Sequence, residues 1–127
     1  MSKPEILMMG AYPDADMLAL EQAYRVHKFW LAEDRDAFVA ARASGIRAIA
    51  TRGDLGASAV LMQQLPKLEI IGCFGVGTDA IDLDHARAYG IKVSNTPDVL
   101  TGDVADLGIA LALAVTRQIP AGDVLVR

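Results

Sequence analysis

An open sheet of parallel strands with helices packed on both faces is the fold class this sequence predicts, and three observations predict it. Apolar runs of strand length alternate strictly with segments of helical period. The connections between them are short, which suits right-handed crossovers between parallel neighbours. Glycines gather just after two of the runs, where an open α/β sheet presents its ligand-binding loops.

The strands expected from the apolar runs are Ile6–Met9, Arg25–Trp30, Ile46–Ala50, Glu69–Cys73 and Ile91–Ser94. Between them, Asp14–Ala23, Glu33–Ser44, Ala57–Leu65 and Leu83–Tyr89 read as helices. Each opens near Asp, Glu or Ser, and several close on Gly or Pro. Five strands and four helices in this alternation suit the flavodoxin-like strand order 2-1-3-4-5. A fifth helix is expected from about Thr101, an N-cap type, to about Gln118, with Asp103 and Asp106 in its first turns where the helix dipole favours anions. Its middle, Val104–Val115, is apolar on nearly every side, the pattern of a helix buried all round. The tail from Ile119 to Arg127, with Pro120 and Gly122, reads as a helix break followed by an unfinished segment. The expected division is a sheet domain over 1–100 and a helix with its tail over 101–127.

The chain has 127 residues, 53% apolar and 22% charged, which suits a globular domain with a real core and argues against disorder. Twelve Lys and Arg against sixteen Asp and Glu give a net charge of −4, and no basic cluster is present, so nucleic acid is not expected as a partner. The lone Cys73 cannot form an internal disulfide, the first ten residues lack a signal-peptide pattern, and no apolar stretch has membrane-spanning length. A cytoplasmic setting without membrane contact is the expectation.

Two loops carry the candidate chemistry: Thr51-Arg-Gly-Asp-Leu-Gly56 after the third strand and Phe74-Gly-Val-Gly-Thr-Asp79 after the fourth. Glycines permit positive φ and close backbone approach, so successive N–H groups can converge into an anion-binding concavity suited to a carboxylate or phosphate. A ligand-free strand-to-helix turn has equal standing on composition alone. Gly75-Val-Gly-Thr-Asp-Ala80 also fits G-x-G-x-x-A, a dinucleotide fingerprint. That fingerprint belongs after the first strand of a βαβ unit with an acid about 20 residues on, whereas here it follows the fourth strand and the next strand ends Val93-Ser-Asn95. His27 and His85 have no partner at metal or triad spacing and read as structural or surface residues; no metal site is expected. Asp79, Asp82 and Asp84 lack a calcium-loop register and read as caps and turns. Cys73, ending an apolar strand, reads as a small buried hydrophobe without reactivity.

Leu68-Glu-Ile-Ile-Gly-Cys-Phe-Gly-Val-Gly-Thr-Asp-Ala-Ile-Asp-Leu83 resembles the substrate loop of D-2-hydroxyacid dehydrogenases. Gly90-Ile-Lys-Val-Ser-Asn-Thr-Pro-Asp-Val-Leu-Thr-Gly-Asp-Val-Ala-Asp-Leu107 is similar to that family's hinge and first interdomain helix. Within the family, Asn95–Thr101 looks most like glyoxylate/hydroxypyruvate reductases. The resemblance implies that the amides of Val76 and Gly77, next to Gly75, hold the carboxylate of a 2-keto or 2-hydroxy acid, that Leu55 lines the same pocket, and that Val104 faces the cofactor. It implies NAD or NADP as cofactor of the parent enzyme. The fingerprint and the catalytic Arg, Glu and His of the family lie later in the chain than anything present here, so no catalytic residue is assigned. This stretch alone is expected to be an inactive lid that binds no cofactor, paired with a second copy through the Val104–Val115 helix. The competing reading is a free-standing flavodoxin-like binding or receiver module, with Asp14, Asp16 and Asp54 as its acids.

Overall fold

The computed structural model describes residues 3–127, and the chain falls into two compact units, one ending at Thr96 and the other spanning Pro97–Arg127. The first contains β1 (Glu5–Met8), α1 (Asp14–Ala23), β2 (Arg25–Lys28), α2 (Arg35–Ala40), β3 (Ile46–Arg52), α3 (Ala59–Gln63), β4 (Ile70–Phe74), α4 (Leu83–Ala88) and β5 (Lys92–Ser94). The five strands form one parallel sheet in the order β2-β1-β3-β4-β5, the order expected from the alternation.

The centre of the sheet supplies the core. Leu7, Ile46 and Ile71 have no exposed surface and Ile49 only 1%; Val39 of α2, Leu61 and Met62 of α3 and Ala86 of α4 pack into the same cluster or are buried beside it. The apolar runs became strands because both faces of a central parallel strand are withdrawn from water, so uninterrupted Val, Ile and Leu are tolerated there. Side chains start three of the helices. Asp34 accepts from the Ala37 amide at 3.0 Å, Ser58 from Leu61 at 3.3 Å and Asp82 from His85 at 2.9 Å. The capping role expected of Asp82 is therefore what the structure shows.

Several boundaries differ from expectation for local reasons. The second strand stops at Lys28, because Phe29–Leu31 turns into a 3-10 helix that sinks Phe29 into the core. Ala57 does not begin α3; it makes a parallel bridge with Ile81 instead, and the helix starts after the Ser58 cap.

The second unit holds α5 (Thr101–Thr116) and α6 (Ile119–Val126), bent by 59° at the break between them. Here the structure corrects two expectations. Ile119–Val126 is a helix, not an unfinished segment: Gln118 takes a left-handed φ of 52°, which redirects the chain, and Pro120 falls in the first helical turn, where its missing N–H removes no hydrogen bond. Leu100, not Thr101, holds the N-cap position of α5 and makes no side-chain cap, while Thr101 Oγ1 reaches back to Asp98 Oδ1 at 3.5 Å. Along α5, Leu107, Ile109, Leu111 and Leu113 are 56–62% exposed. No single helix among the described residues is long and apolar enough to cross a membrane; α5 and α6 pass that test only as a bent pair.

Candidate functional site

The carboxyl ends of β3 and β4 lie side by side, with Arg52 in register with Phe74, so the two glycine loops leave the sheet as neighbours. They are then stitched together. The Ala57 amide donates to the Ala80 carbonyl at 3.1 Å, and the Asp82 amide to the Ala57 carbonyl at 3.0 Å. Gly56 sits at φ +62° with its Cα facing the Ala80 carbonyl, and a Cβ there would overlap that carbonyl. A Cβ on Gly53 would come to 2.9 Å from the Gly77 carbonyl oxygen. Glycine at these two positions is what lets the loops approach.

Within the second loop the carbonyls are tied down. The Thr96 amide donates to the Gly75 carbonyl at 2.9 Å, and the Gly75 amide donates in return to Thr96 Oγ1 at 3.1 Å. Asn95 Nδ2 donates to the Val76 carbonyl at 2.8 Å, and the Cys73 thiol lies 3.4 Å from the Gly77 carbonyl. Every peptide bond described here is trans, so the N–H of each unit points opposite to its C=O. With the Gly75 and Val76 carbonyls drawn toward Asn95 and Thr96, the Val76 and Gly77 amides face the other way. Neither amide donates to a protein acceptor among the described residues. Two adjacent, unspent donors stand at the carboxyl edge of a parallel sheet, the kind of backbone feature to which anions bind. A Cβ on Gly77 would meet nothing closer than Asp79 Oδ2 at 3.6 Å, so the space beside this glycine is open.

The charges around the loop do not add a net positive field. Arg52 is engaged by Asp54 in a two-point fork, Nε to Oδ1 at 3.0 Å and Nη2 to Oδ2 at 2.7 Å, and this contact holds the Asp54 carboxyl below its ordinary range and raises Arg52. Asp79 is also close, its Oδ2 3.6 Å from where a Cβ on Gly77 would stand, so the donors this loop leaves free are backbone amides.

Of the residues singled out from sequence, Gly75, Val76 and Gly77 share one loop, with Val76 48% exposed. Leu55 lies in the neighbouring loop, 41% exposed, with its side chain against Gly10 and in a groove shared with Met9 and Ala80. Val104 belongs to the second unit, where it is 63% exposed on the first turn of α5. Tyr12 escaped sequence reasoning. Its hydroxyl donates to the Thr51 carbonyl at 2.6 Å, its ring lies 5.2 Å from that of Phe74, and burial pushes its pKa up. Asn95 and Thr96 also escaped. The available signal was their place directly after a strand on the edge where the loops gather.

The dinucleotide reading of Gly75–Ala80 does not fit the geometry. That fingerprint needs a helix opening on the glycines, but Ala80 and Ile81 are diverted to Ala57, and α4 starts only at Leu83 with six residues. The Val104 side chain is apolar, and its amide donates to the Leu100 carbonyl at 3.0 Å. The acids a receiver would use are not gathered either: Asp54 is spent on Arg52, and no group of three metal-binding side chains occurs among the described residues. His27 pairs with Glu5 at 2.7 Å, His85 stacks on Tyr89 at 4.3 Å, and Cys73 is buried with its thiol pKa raised by desolvation.

Comparison with known proteins points to one family. Residues 6–119 match the family model described as D-isomer specific 2-hydroxyacid dehydrogenase, catalytic domain. Hydroxyphenylpyruvate reductase of Plectranthus scutellarioides is 44% identical over 108 residues, which is 85% of this chain and 34% of that protein. The structure of a 2-hydroxyacid dehydrogenase from Ketogulonicigenium vulgare Y25 superposes with a TM-score of 0.92 at 53% identity, covering 100% of this chain and 40% of that one. An NADPH-dependent glyoxylate/hydroxypyruvate reductase from Sinorhizobium meliloti, solved with NADP and malonate, gives 0.78 at 34% identity over 99% of this chain and 38% of its own. The chain thus spans between a third and two fifths of the length of these relatives, and it belongs to the D-isomer specific 2-hydroxyacid dehydrogenase family.

Proposed function

We propose that this chain is the substrate-binding part of an NAD(P)-dependent 2-hydroxyacid dehydrogenase of the glyoxylate/hydroxypyruvate reductase type. In this reading the Val76 and Gly77 amides hold the carboxylate of a small 2-keto acid, Gly75 supplies the turn that presents them, and Leu55 lines the space beside it. The observation that carries it is the pair of unspent amides whose carbonyls are pinned on the opposite side of the loop. A carboxylate held at two points fixes the orientation of the neighbouring keto carbon, which is the condition for stereospecific hydride delivery. The hydride comes from the nicotinamide when it is bound, and no step of the transfer is assigned to residues of this chain.

Val104, on the first turn of α5, is read as facing the cofactor. The exposed apolar surface of α5 is read as the interface with a second copy of the chain, in a twofold dimer. A cytoplasmic location suits the single, buried cysteine.

The test is oxidation of NADH or NADPH by the intact protein with glyoxylate, hydroxypyruvate and pyruvate as acceptors. Turnover with one of these and none with unrelated aldehydes supports the reading. Residues 1–127 alone should neither turn over nor bind NAD(P) at micromolar concentration. Activity in that segment would show that the reacting groups lie within it.

A further inference from the structure

We infer that Asn95 and Thr96 are positioning residues for the carboxylate cradle: they aim the Val76 and Gly77 amides without touching the substrate. The inference rests on the carboxylate reading above and adds to it the element that sets the geometry of the loop.

The residues stand where this is possible. β4 and β5 run in register through Ile70–Lys92, Ile71–Val93 and Gly72–Ser94. Beyond Ser94 the ladder ends, and the next two residues turn to the loop after β4 rather than to the strand. Thr96 grips the Gly75 peptides from both sides, its amide donating to the carbonyl and its hydroxyl accepting from the amide. Asn95 adds a side-chain donor to the next carbonyl along, that of Val76. Three hydrogen bonds therefore hold three consecutive peptides: those at the Gly75 and Val76 carbonyls carry the two cradle amides, and the one at the Gly75 amide is the peptide that leads into them. Gly75 itself lies at φ +139°, open to glycine and strained for other residues, so the loop has no side chain of its own at that turn to hold it. The orienting force must come from outside the loop.

The chemistry of each side chain is specific. An amide at 95 is required because the Val76 carbonyl needs a donor; a carboxylate there has acceptors only and would add a negative charge beside the anion site. A hydroxyl at 96 is required because the Gly75 amide needs an acceptor that also leaves the backbone free to donate. Both side chains are exposed, so their loss should leave the core intact while loosening the loop.

The experiment is steady-state kinetics of the intact protein with glyoxylate and NADPH, with melting curves for each variant. Asn95→Ala and Thr96→Val should each lower kcat/KM for the keto acid by about 3- to 10-fold, the worth of a single hydrogen bond. The KM for NADPH and the melting temperature should stay where they were. Thr96→Ser, which restores the acceptor, should return kcat/KM to the parent value, and Asn95→Asp should be worse than Asn95→Ala. Folded variants with unchanged kcat/KM for glyoxylate, or with cofactor KM rising in parallel, would overturn the assignment. Gly77→Val separates the two levels: a large loss there with silent Asn95 and Thr96 variants overturns only the positioning role, and no loss in any of the three overturns the cradle as well.

Discussion

Ile71, inside β4, has no exposed surface; Leu113, in the last turn of α5, keeps 56% of its surface open, although both are aliphatic residues in regular secondary structure. The sheet unit has settled its side chains. Its strands are ordered by burial, its helix starts by side-chain caps, its glycine loops by backbone contacts, and no buried side-chain nitrogen or oxygen lacks a partner among the described residues. The helical unit has settled only its backbone. From Thr101 to Val126 no residue is buried, and the Leu, Ile and Val side chains along α5 stay open. A stretch of sequence can thus encode a helix completely and still leave its packing to another surface.

Truncating one residue in each unit should separate the two. Ile71→Ala removes a fully enclosed side chain and should cost about 2–5 kcal/mol in urea unfolding, enough to unfold a marginal domain. Leu113→Ala should shift unfolding of the dilute chain by less than about 0.5 kcal/mol, since little contact is lost. Equal effects would mean that α5 is packed as firmly as the sheet.

Next in size is Gly77→Val in the intact protein. The glycine has open space around it, so the fold should survive, while the added carbon atoms narrow the cradle; kcat/KM for the keto acid should fall at least about 10-fold. Unchanged kinetics would remove the loop from the site.

For the helical unit, light scattering at micromolar concentration should report twice the 13.5 kDa chain mass, and Leu111→Glu should lower it by placing a charge on the apolar row. A soluble, folded monomer throughout that range contradicts the second-copy reading.

The smallest expected effect belongs to the opposite edge of the sheet. The Glu5 carboxylate accepts a hydrogen bond from His27 at 2.7 Å and faces Arg25 at 3.5 Å, and both hold its pKa below the ordinary 4.5. The folded chain therefore takes up this proton less readily than the unfolded one. The resulting stability is present above pH 4.5 and is lost as pH falls through the lower folded value. Glu5→Gln should flatten that part of an acid-unfolding profile, and an unaltered profile would show that the pair contributes nothing.

The sheet was legible in the sequence because burial on both faces leaves continuous apolar runs, and the strand order follows from strict alternation with short crossovers. The glycine loop was legible because backbone chemistry at an anion site demands the one residue without a side chain. Its anchors were not: Asn95 and Thr96 act across a gap of about twenty residues, and nothing in a strand-ending Ser-Asn-Thr distinguishes a side chain that reaches into another loop from one that faces water. Tyr12 was hidden for the same reason. The last helix was not legible, because Pro120 in the sequence reads equally as a break. A proline stops a helix in its interior and starts one in its first turn, and the left-handed Gln118 that decides between the two has no signature of its own.

Whether two backbone amides hold the substrate carboxylate is read from the crystal structure of the intact protein with NADP and oxalate, an unreactive mimic of the keto acid. A carboxylate oxygen should lie within hydrogen-bonding distance of both the Val76 and Gly77 nitrogens, with the Asn95 and Thr96 contacts to the loop intact. Oxalate seated elsewhere, with those two amides still unspent, would contradict the carboxylate reading.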